Sequence, residues 1–556
     1  MQTKTKLVDR NVLVSIAFLL FVPALAHLLL SWRGFSPTDD GFTLAYSRRI
    51  LEGQIPHSDF IIIRPFISPL IHTPFVLFGG DYTYWASRFF VWFQFACISW
   101  AWVSVINRAF DNPFNNPIKL FIALVSFAAS VHYFVLTAWH TVDGLFLSSI
   151  GLWVLLTQRH SKWRVIGYLL IATAYLCKQS FLFMAPLSVL LLGDWREKKY
   201  WLTITLPAAA YGVYLLATGS FSEAILQLSS QSGIVSAGVG SYLNYGILLG
   251  VVAGSCSMFL LSASTVPLLR TSRMPRYVGA LVLMAIPASL IAVQLYRGSL
   301  AAVSFGVVGM VLGVVLYRIA GVVLYRIAGG ITRDGEKIPV ALIALLLAWS
   351  VSLSVGYNYP ALLLGPLFAI LTAFVYSRRE SLNPRFLHTT LIVVGAAILL
   401  SFAVSRPYYI YREQPSSELT EPLDDVLPGG RLIYTNPNTY TFFVDLNNAI
   451  DTVSARDRTY AIIPEVAGYW VQSGQTNPLL IDWPWPVELN NQYLTDRVTN
   501  DLAAKRGGVV VIVQKVDAFD LADGFIPLDE DNYPVVKYVR EHFRKTNETE
   551  FFELYE

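Results

Sequence analysis

The sequence predicts a polytopic α-helical membrane protein with a small C-terminal α/β domain on the outer face. Three observations lead there. Of 556 residues, 54% are hydrophobic and only 14% charged, with a mean hydropathy of +0.50, as in integral membrane proteins. Apolar windows of roughly 20 residues, the length of a membrane-crossing helix, recur from Asn11 to Val404. After Arg406 the chain becomes polar and rich in Asp, Asn, Pro and Tyr. The net charge of +3 gives no reason to propose a nucleic-acid partner. Cys97, Cys177 and Cys256 fall in or beside apolar segments without metal-ligand spacing, so buried packing is expected of each.

The N-terminus, Met1 to Arg10, is short and basic, and the run 11–32 lacks a small-residue cleavage motif. It reads as a retained first span rather than a signal peptide. Further windows fall at 84–107, 118–138, 142–157, 164–177, 181–193, 200–218, 243–264, 277–296, 298–317, 338–356, 359–377 and 387–404. That makes about 13 spans by hydropathy. The stretch 163–193 reads either as one long helix or as two short ones broken at Cys177-Lys178-Gln179-Ser180. Two helices place the basic loops Gln158–Arg164, Gly193–Lys199, Pro267–Arg276, Tyr317–Lys337 and Ser377–Arg385 on the N-terminal side. That side is then the cytoplasm. Gly34–Tyr82, the turn His140–Asp143, Lys178, the loop Ser220–Ser241 and everything after Phe402 then share the outer face. The expected location is the plasma membrane, with residues 1–405 forming the membrane domain and 406–556 the outer one.

The first outer loop, 33–83, carries two amphipathic patterns. Gly41–Gly53 interleaves Phe42, Leu44, Ala45, Ile50 and Leu51 with Ser47, Arg48, Arg49 and Glu52, as in a helix lying in the interface. Ile67–Phe78 is a second, opened by Pro65 and closed by Gly79-Gly80. Further on, Gly313–Ala320 repeats as Gly321–Ala328, which lengthens a helix by about 12 Å. In the C-terminal part, Leu432–Thr435, Thr441–Val444 and Val509–Gln514 read as strands, and Asn490–Lys505 and Pro534–Arg544 as helices.

The chemistry-bearing residues gather at the outer face. Asp39 and Asp40 follow the first span directly, and adjacent carboxylates repel each other. Either they cap the helix that follows, or one is a base whose neighbour tunes it or holds a divalent cation, Ca²⁺ or Mg²⁺. Asp143 is either another helix cap or a second outer acid facing the first loop; His140 is an interfacial ligand or a polar edge residue. Lys178 lies at a helix break without a nearby acid in sequence. It either snorkels to headgroups or meets a lipid phosphate. Arg64 and Arg88 offer the planar fork that suits phosphate oxygens. His57, Tyr46 and Gln179 lie on the same surface and are candidate substrate contacts. Trp470, Trp483 and Trp485 are either core or platforms for sugar rings. No glycine-rich phosphate loop, nucleotide fingerprint or Ser/His/Asp pattern is present in the sequence. An outer-face enzyme has no access to cytoplasmic nucleotide sugars, so its donor would be carried across on a lipid.

The first 200 residues resemble the GT-C superfamily of membrane glycosyltransferases, which includes protein O-mannosyltransferases, lipid A aminoarabinose transferases and mycobacterial arabinosyltransferases. The residues that carry the resemblance are Asp39-Asp40-Gly41, the run Leu51-Glu52-Gly53-Gln54-Ile55-Pro56-His57-Ser58-Asp59-Phe60, Arg64-Pro65, Gly79, Arg88, Asp143 and Ala174–Gln179. The resemblance implies a catalytic base at Asp39 or Asp40, a polyprenyl-phosphate sugar donor and a phosphate contact at Lys178. It implies transfer of a sugar to a hydroxyl of a glycan, lipid or protein acceptor in cell-envelope glycan biosynthesis. The Trp-Trp-Asp signature of oligosaccharyltransferases is absent from the sequence. A lipid-linked glycan polymerase or ligase, and a transporter or flippase for lipid-linked sugars, are the alternative readings.

Overall fold

The structure, a computed structural model, describes residues 10–131, 136–158, 161–262, 273–298, 303–327, 336–353, 360–455 and 457–556. Expectations for Met1–Asp9, for Ala328 of the repeat and for much of the loops Pro267–Arg276 and Tyr317–Lys337 lie outside the described residues.

Helix α1 is Arg10–Leu30. Helices α2, Asp39–Leu51, and α3, Ile67–Gly79, form the first loop, and α4, Thr83–Ala109, follows. Then come α5, Asn116–Ser130, α6, His140–Thr157, α7, Ser161–Thr173, α8, Met184–Leu191, and α9, Lys198–Ala217. The expected loop Ser220–Ser241 is instead two short helices, α10, Phe221–Ser229, and α11, Ser232–Ser241. The remaining bundle is α12, Tyr245–Leu261, α13, Met274–Arg297, α14, Val303–Ile327, α15, Lys337–Ser352, α16, Leu364–Tyr376, and α17, Pro384–Ser405. A helix thus stands within every expected window. Among the described residues seven helical runs are long and apolar enough to cross a membrane, and the chain is a polytopic membrane protein.

Contacts between helix ends show how the bundle alternates. Arg164, early in α7, pairs with Asp194, just past α8, and Tyr168 donates to the same carboxylate. Helices α7 and α8 are therefore a hairpin, with extended Lys178 at its tip. At that end Tyr211 of α9 meets His57, and Gly298 after α13 lies against Tyr409. At the opposite end Lys337 pairs with Asp111, Arg379 donates to the Pro113 carbonyl, and the Asn383 amide donates to Tyr277.

Helices α12 and α14 pack backbone to backbone. A Cβ on Gly250 would meet the Gly306 carbonyl at 2.4 Å, and one on Gly313 the Val251 carbonyl at 2.2 Å. Small residues allow this approach where lipid supplies no hydrophobic drive between helices. The first repeat copy starts at that seam, and the second continues the same helix as far as Ile327. Cys97 and Cys177 are buried, but Cys256 is exposed on α12. The expectation of buried packing fails there because an apolar helix can present a thiol to lipid.

The C-terminal part carries a four-stranded mixed sheet. Its strands are β3, Thr459–Ile463, β4, Val509–Gln514, β5, Lys545–Glu548, and β6, Phe552–Tyr555, in the order β3-β4-β6-β5. A separate pair joins β1, Glu421–Pro422, to β2, Tyr434–Thr435. Helices α18, Pro437–Ser454, α19, Gln492–Ala504, and α20, Pro534–His542, accompany them. Thr441–Val444, expected as a strand, lies inside α18. The Asn436 side chain accepts from the Thr439 amide and Pro437 occupies the first turn, a start signal that overrides the β-branched and aromatic run.

Candidate functional site

Helix α2 does not lie on the interface as expected. Most of it is buried, including Arg49. A Cβ on Gly41 would meet the Gly468 Cα at 2.1 Å, so only glycine lets this helix press against Ala467–Val471. Three arginines tie the first loop and C-terminal part together. Arg49 grips Asp482 with Nε at 2.6 Å and Nη2 at 2.8 Å, Arg64 holds Glu488, and Arg497 reaches Glu223 and the His57 carbonyl. The amphipathic pattern is real, but its polar face meets protein, not headgroups.

The adjacent acids have different partners. Asp40 Oδ2 accepts from the Ser36 amide at 2.9 Å and Oδ1 from Arg88 Nη2 at 3.0 Å. Arg88 also donates to the Ser31, Arg33 and Gly34 carbonyls. Asp40 and Arg88 therefore lock the chain entering α2, and Arg88 is not beside the other phosphate-binding candidates as expected. Asp39 accepts from the Tyr411 hydroxyl at 3.0 Å and faces Arg412 Nε at 3.5 Å, and its side chain keeps 21% exposure. Burial pushes its carboxyl above the usual range, against the opposing pull of Arg412 and Tyr411. Thr38, not either Asp, occupies the cap position of α2. With their carboxylates claimed by different partners, Asp39 and Asp40 do not build the shared cation site suggested by their adjacency.

Asp143 is wholly buried. Ser68 donates to it at 2.5 Å, Gln94 at 2.7 Å, and His72 Nε2 lies 3.1 Å away. It faces the first loop through α3 but is bonded to neither Asp39 nor Asp40. Its acceptor positions are filled by protein, so its place as a second free outer acid is corrected to a buried cross-link between α3, α4 and α6. His57 is likewise corrected from a substrate contact. Its ring nitrogens meet Gln227 at 2.9 Å and Tyr211 at 2.7 Å, and burial lowers its pKa to about 4. Gln179 donates to the Ile63 carbonyl at 2.7 Å and is a strut of the hairpin tip.

The other candidates converge. Phe42, Thr43, Tyr46, Arg64, Ser68 and His140 line one narrow pocket, about 10 Å³ in volume, room for about one water. Arg64 lies over the Phe42 ring at 5.1 Å. Lys178, 7% exposed, donates to Thr141 at 2.9 Å, beside the pocket-lining His140, and makes no ion pair among the described residues. Burial and the nearby Arg64 charge push its ammonium well below the usual lysine range. The Tyr46 hydroxyl is buried without a partner among the described residues. Asp39 precedes Phe42, Thr43 and Tyr46 by three, four and seven residues, the spacing of one helix face.

Several residues were not foreseen. Glu488, Tyr411, Arg412 and His72 enter only through tertiary contact; the first three lie more than 370 residues from their partners. No local pattern signals such a meeting. Trp470 and Trp483 are both core; Trp483 packs on Phe42 at 5.1 Å and stacks on the partly buried Trp485 at 5.0 Å.

No family model matches the chain, and no curated protein matches it. Among solved structures, ArnT from Cupriavidus metallidurans bound to undecaprenyl phosphate is similar over 98% of this chain and 97% of that one. The identity is 12% and the TM-score 0.39, a likeness too loose to fix a fold family.

Proposed function

We propose that this protein is an inverting glycosyltransferase that moves a sugar from a polyprenyl-phosphate donor to an acceptor hydroxyl at the outer face of the membrane. The observation that carries the reading is one pocket lined by Arg64 and His140, with Lys178 bonded to Thr141 next to it and Asp39 one turn before Phe42 along α2. Among the described residues these two cations, Arg64 and Lys178, have a single bonded carboxylate between them, Glu488, which leaves positive charge uncompensated. A phosphate oxygen would relieve the cost of holding Lys178 charged.

In this reading Asp39 takes the proton from the acceptor hydroxyl as its oxygen attacks the anomeric carbon. The bond from that carbon to the phosphate oxygen breaks, and its electron pair leaves with the lipid phosphate. Lys178 and Arg64 hold the charge that develops. Tyr46, His140 and Thr43 line the approach. Tyr411 and Arg412 orient Asp39, and Asp40 with Arg88 fixes the helix that presents it. A transporter would carry charge near the bilayer midplane. Here Lys178 sits at a hairpin tip, at the helix ends that meet the C-terminal part. A glycan polymerase or ligase would differ only in acceptor.

The test is transfer by the full chain in proteoliposomes supplied with a polyprenyl-phosphate sugar and a hydroxyl acceptor. Release of the sugar from lipid with inversion at the anomeric carbon is expected. Retention of configuration, or movement of intact lipid-linked sugar between leaflets without transfer, would reject the proposal.

A further inference from the structure

We infer that Glu488, from the C-terminal part, sets how tightly the exposed edge of Arg64, over this water-sized pocket, holds a lipid phosphate and how fast the spent carrier leaves. This rests on the donor reading above. Arg64 is split between two tasks. Its Nη1 forks onto both Glu488 oxygens, at 2.8 and 3.1 Å, while its Nε and Nη2 make no bond among the described residues. The guanidinium lies on Phe42, lines the pocket and keeps 16% exposure, whereas the Glu488 side chain keeps 1%. Phosphate can therefore take the free edge of Arg64 without displacing the carboxylate.

Glu488 is not free to swing away. Its stretch is fastened to the segment joining α10 and α11, where Gln231 donates to the Val487 carbonyl at 3.1 Å and Asn490 to the Ser230 carbonyl at 2.9 Å. On the other side the Glu488 amide donates to the Trp485 carbonyl at 2.9 Å. Burial pushes the Glu488 carboxyl up and Arg64 pulls it back; ionised against Arg64, it is a fixed negative charge that lowers the pull of the Arg64–Lys178 pair on any anion. The effect is unequal. A sugar-loaded lipid phosphate is a diester with one negative charge, and the spent carrier is a monoester with up to two. A buried carboxylate repels the dianion more than the monoanion. Glu488 thus weakens product more than donor, which matters where product release limits turnover.

The experiment measures binding of a polyprenyl phosphate, and steady-state transfer, for the full-length wild type, E488Q and K178M. Gln keeps the length and an acceptor for Arg64 while removing the charge. E488Q is expected to bind polyprenyl phosphate about tenfold tighter and to turn over several-fold more slowly. Its kcat/KM should be kept or raised. A purely structural carboxylate would instead lose kcat and kcat/KM together. Unchanged or weaker binding by a folded E488Q overturns the inference. Should E488Q not fold, E488D, which draws the charge back from Arg64, should bind about twofold to threefold tighter, and unchanged binding overturns the inference equally. Wild-type binding that is absent, or that K178M does not weaken, removes the donor reading and the inference with it. Binding weakened by K178M and unmoved by E488Q removes the inference alone.

Discussion

Two kinds of polar centre in this molecule look alike in sequence and differ in what their atoms have left to do. Around Asp40 and Asp143 the carboxylate oxygens are filled. Arg88 and the Ser36 amide hold one, and Ser68, His72 and Gln94 hold the other. Around Asp39, Arg64, Lys178 and Tyr46 bonding capacity remains. Asp39 keeps solvent access and, among the described residues, Arg64 keeps two unbonded nitrogens, Lys178 has no carboxylate partner and the Tyr46 hydroxyl has no partner. Buried polar groups are normally satisfied. The filled carboxylates are therefore cross-links, even though Arg88 Nε, His72 Nδ1 and Gln94 Oε1 beside them lack a partner among the described residues, and the centre that keeps an open acid beside cations is where a ligand belongs. Identical residue types, one position apart, fall on opposite sides of that division.

Neutralising each aspartate of the adjacent pair should separate the two kinds of centre most clearly. Asp39→Asn should lose roughly 10²–10⁴-fold in turnover while its melting temperature stays near wild type. Burial pushes the Asp39 carboxyl up, and the base must be ionised. Wild-type kcat/KM should therefore fall with falling pH through a pKa above the usual carboxylate range. That acid limb should vanish with Asp39→Asn; a limb kept by the variant would assign it elsewhere.

Asp40→Asn should act the other way, through the fold. It leaves the Arg88 guanidinium buried without its carboxylate, a change that costs about 3–5 kcal/mol when one partner of a buried pair is removed. Chemical denaturation, or yield of folded protein, reads it. A stable Asp40→Asn with turnover lost as in Asp39→Asn would join the two carboxylates again in one catalytic unit.

Lys178→Met keeps length and apolar bulk and removes the charge. Apparent KM for the lipid donor should rise about tenfold, the worth of one charge-assisted hydrogen bond. Unchanged donor kinetics below saturation would return Lys178 to a headgroup contact. The smallest effect belongs to the closed centre at Asp143. Asp143→Asn keeps its shape but hands Gln94 or His72 a second donor, which should cost about 1–3 kcal/mol of stability. Turnover per folded molecule should not change. A kinetic defect in a fully folded Asp143→Asn would open that centre to a role in the reaction.

Hydrophobic patterning made the membrane bundle legible along the chain. The windows ending at Val404 each hold a helix, because a bilayer demands long internally bonded apolar runs and leaves few other solutions. The break at Lys178, the turn at Gly79-Gly80 and the strand Val509–Gln514 were readable for the same local reasons. The strand expected at Thr441–Val444 failed because side-chain preference for strand is weaker than an Asn cap followed by proline.

The functional site was legible only as a set of residue types. Charge is expelled from the apolar interior, so the pattern of spans already gathers acids and cations near one end of the helices. Which of them remain unsatisfied follows from the folded packing. Arg88 met Asp40, His57 met Gln227 and Tyr211, and Asp143 met His72. Among the described residues Arg64 kept two of its three nitrogens free, and Lys178 met no acid. Bonding capacity is consumed by partners distant in the chain. Whether a polar side chain is a strut or a site is therefore a property of the fold, not of the residue.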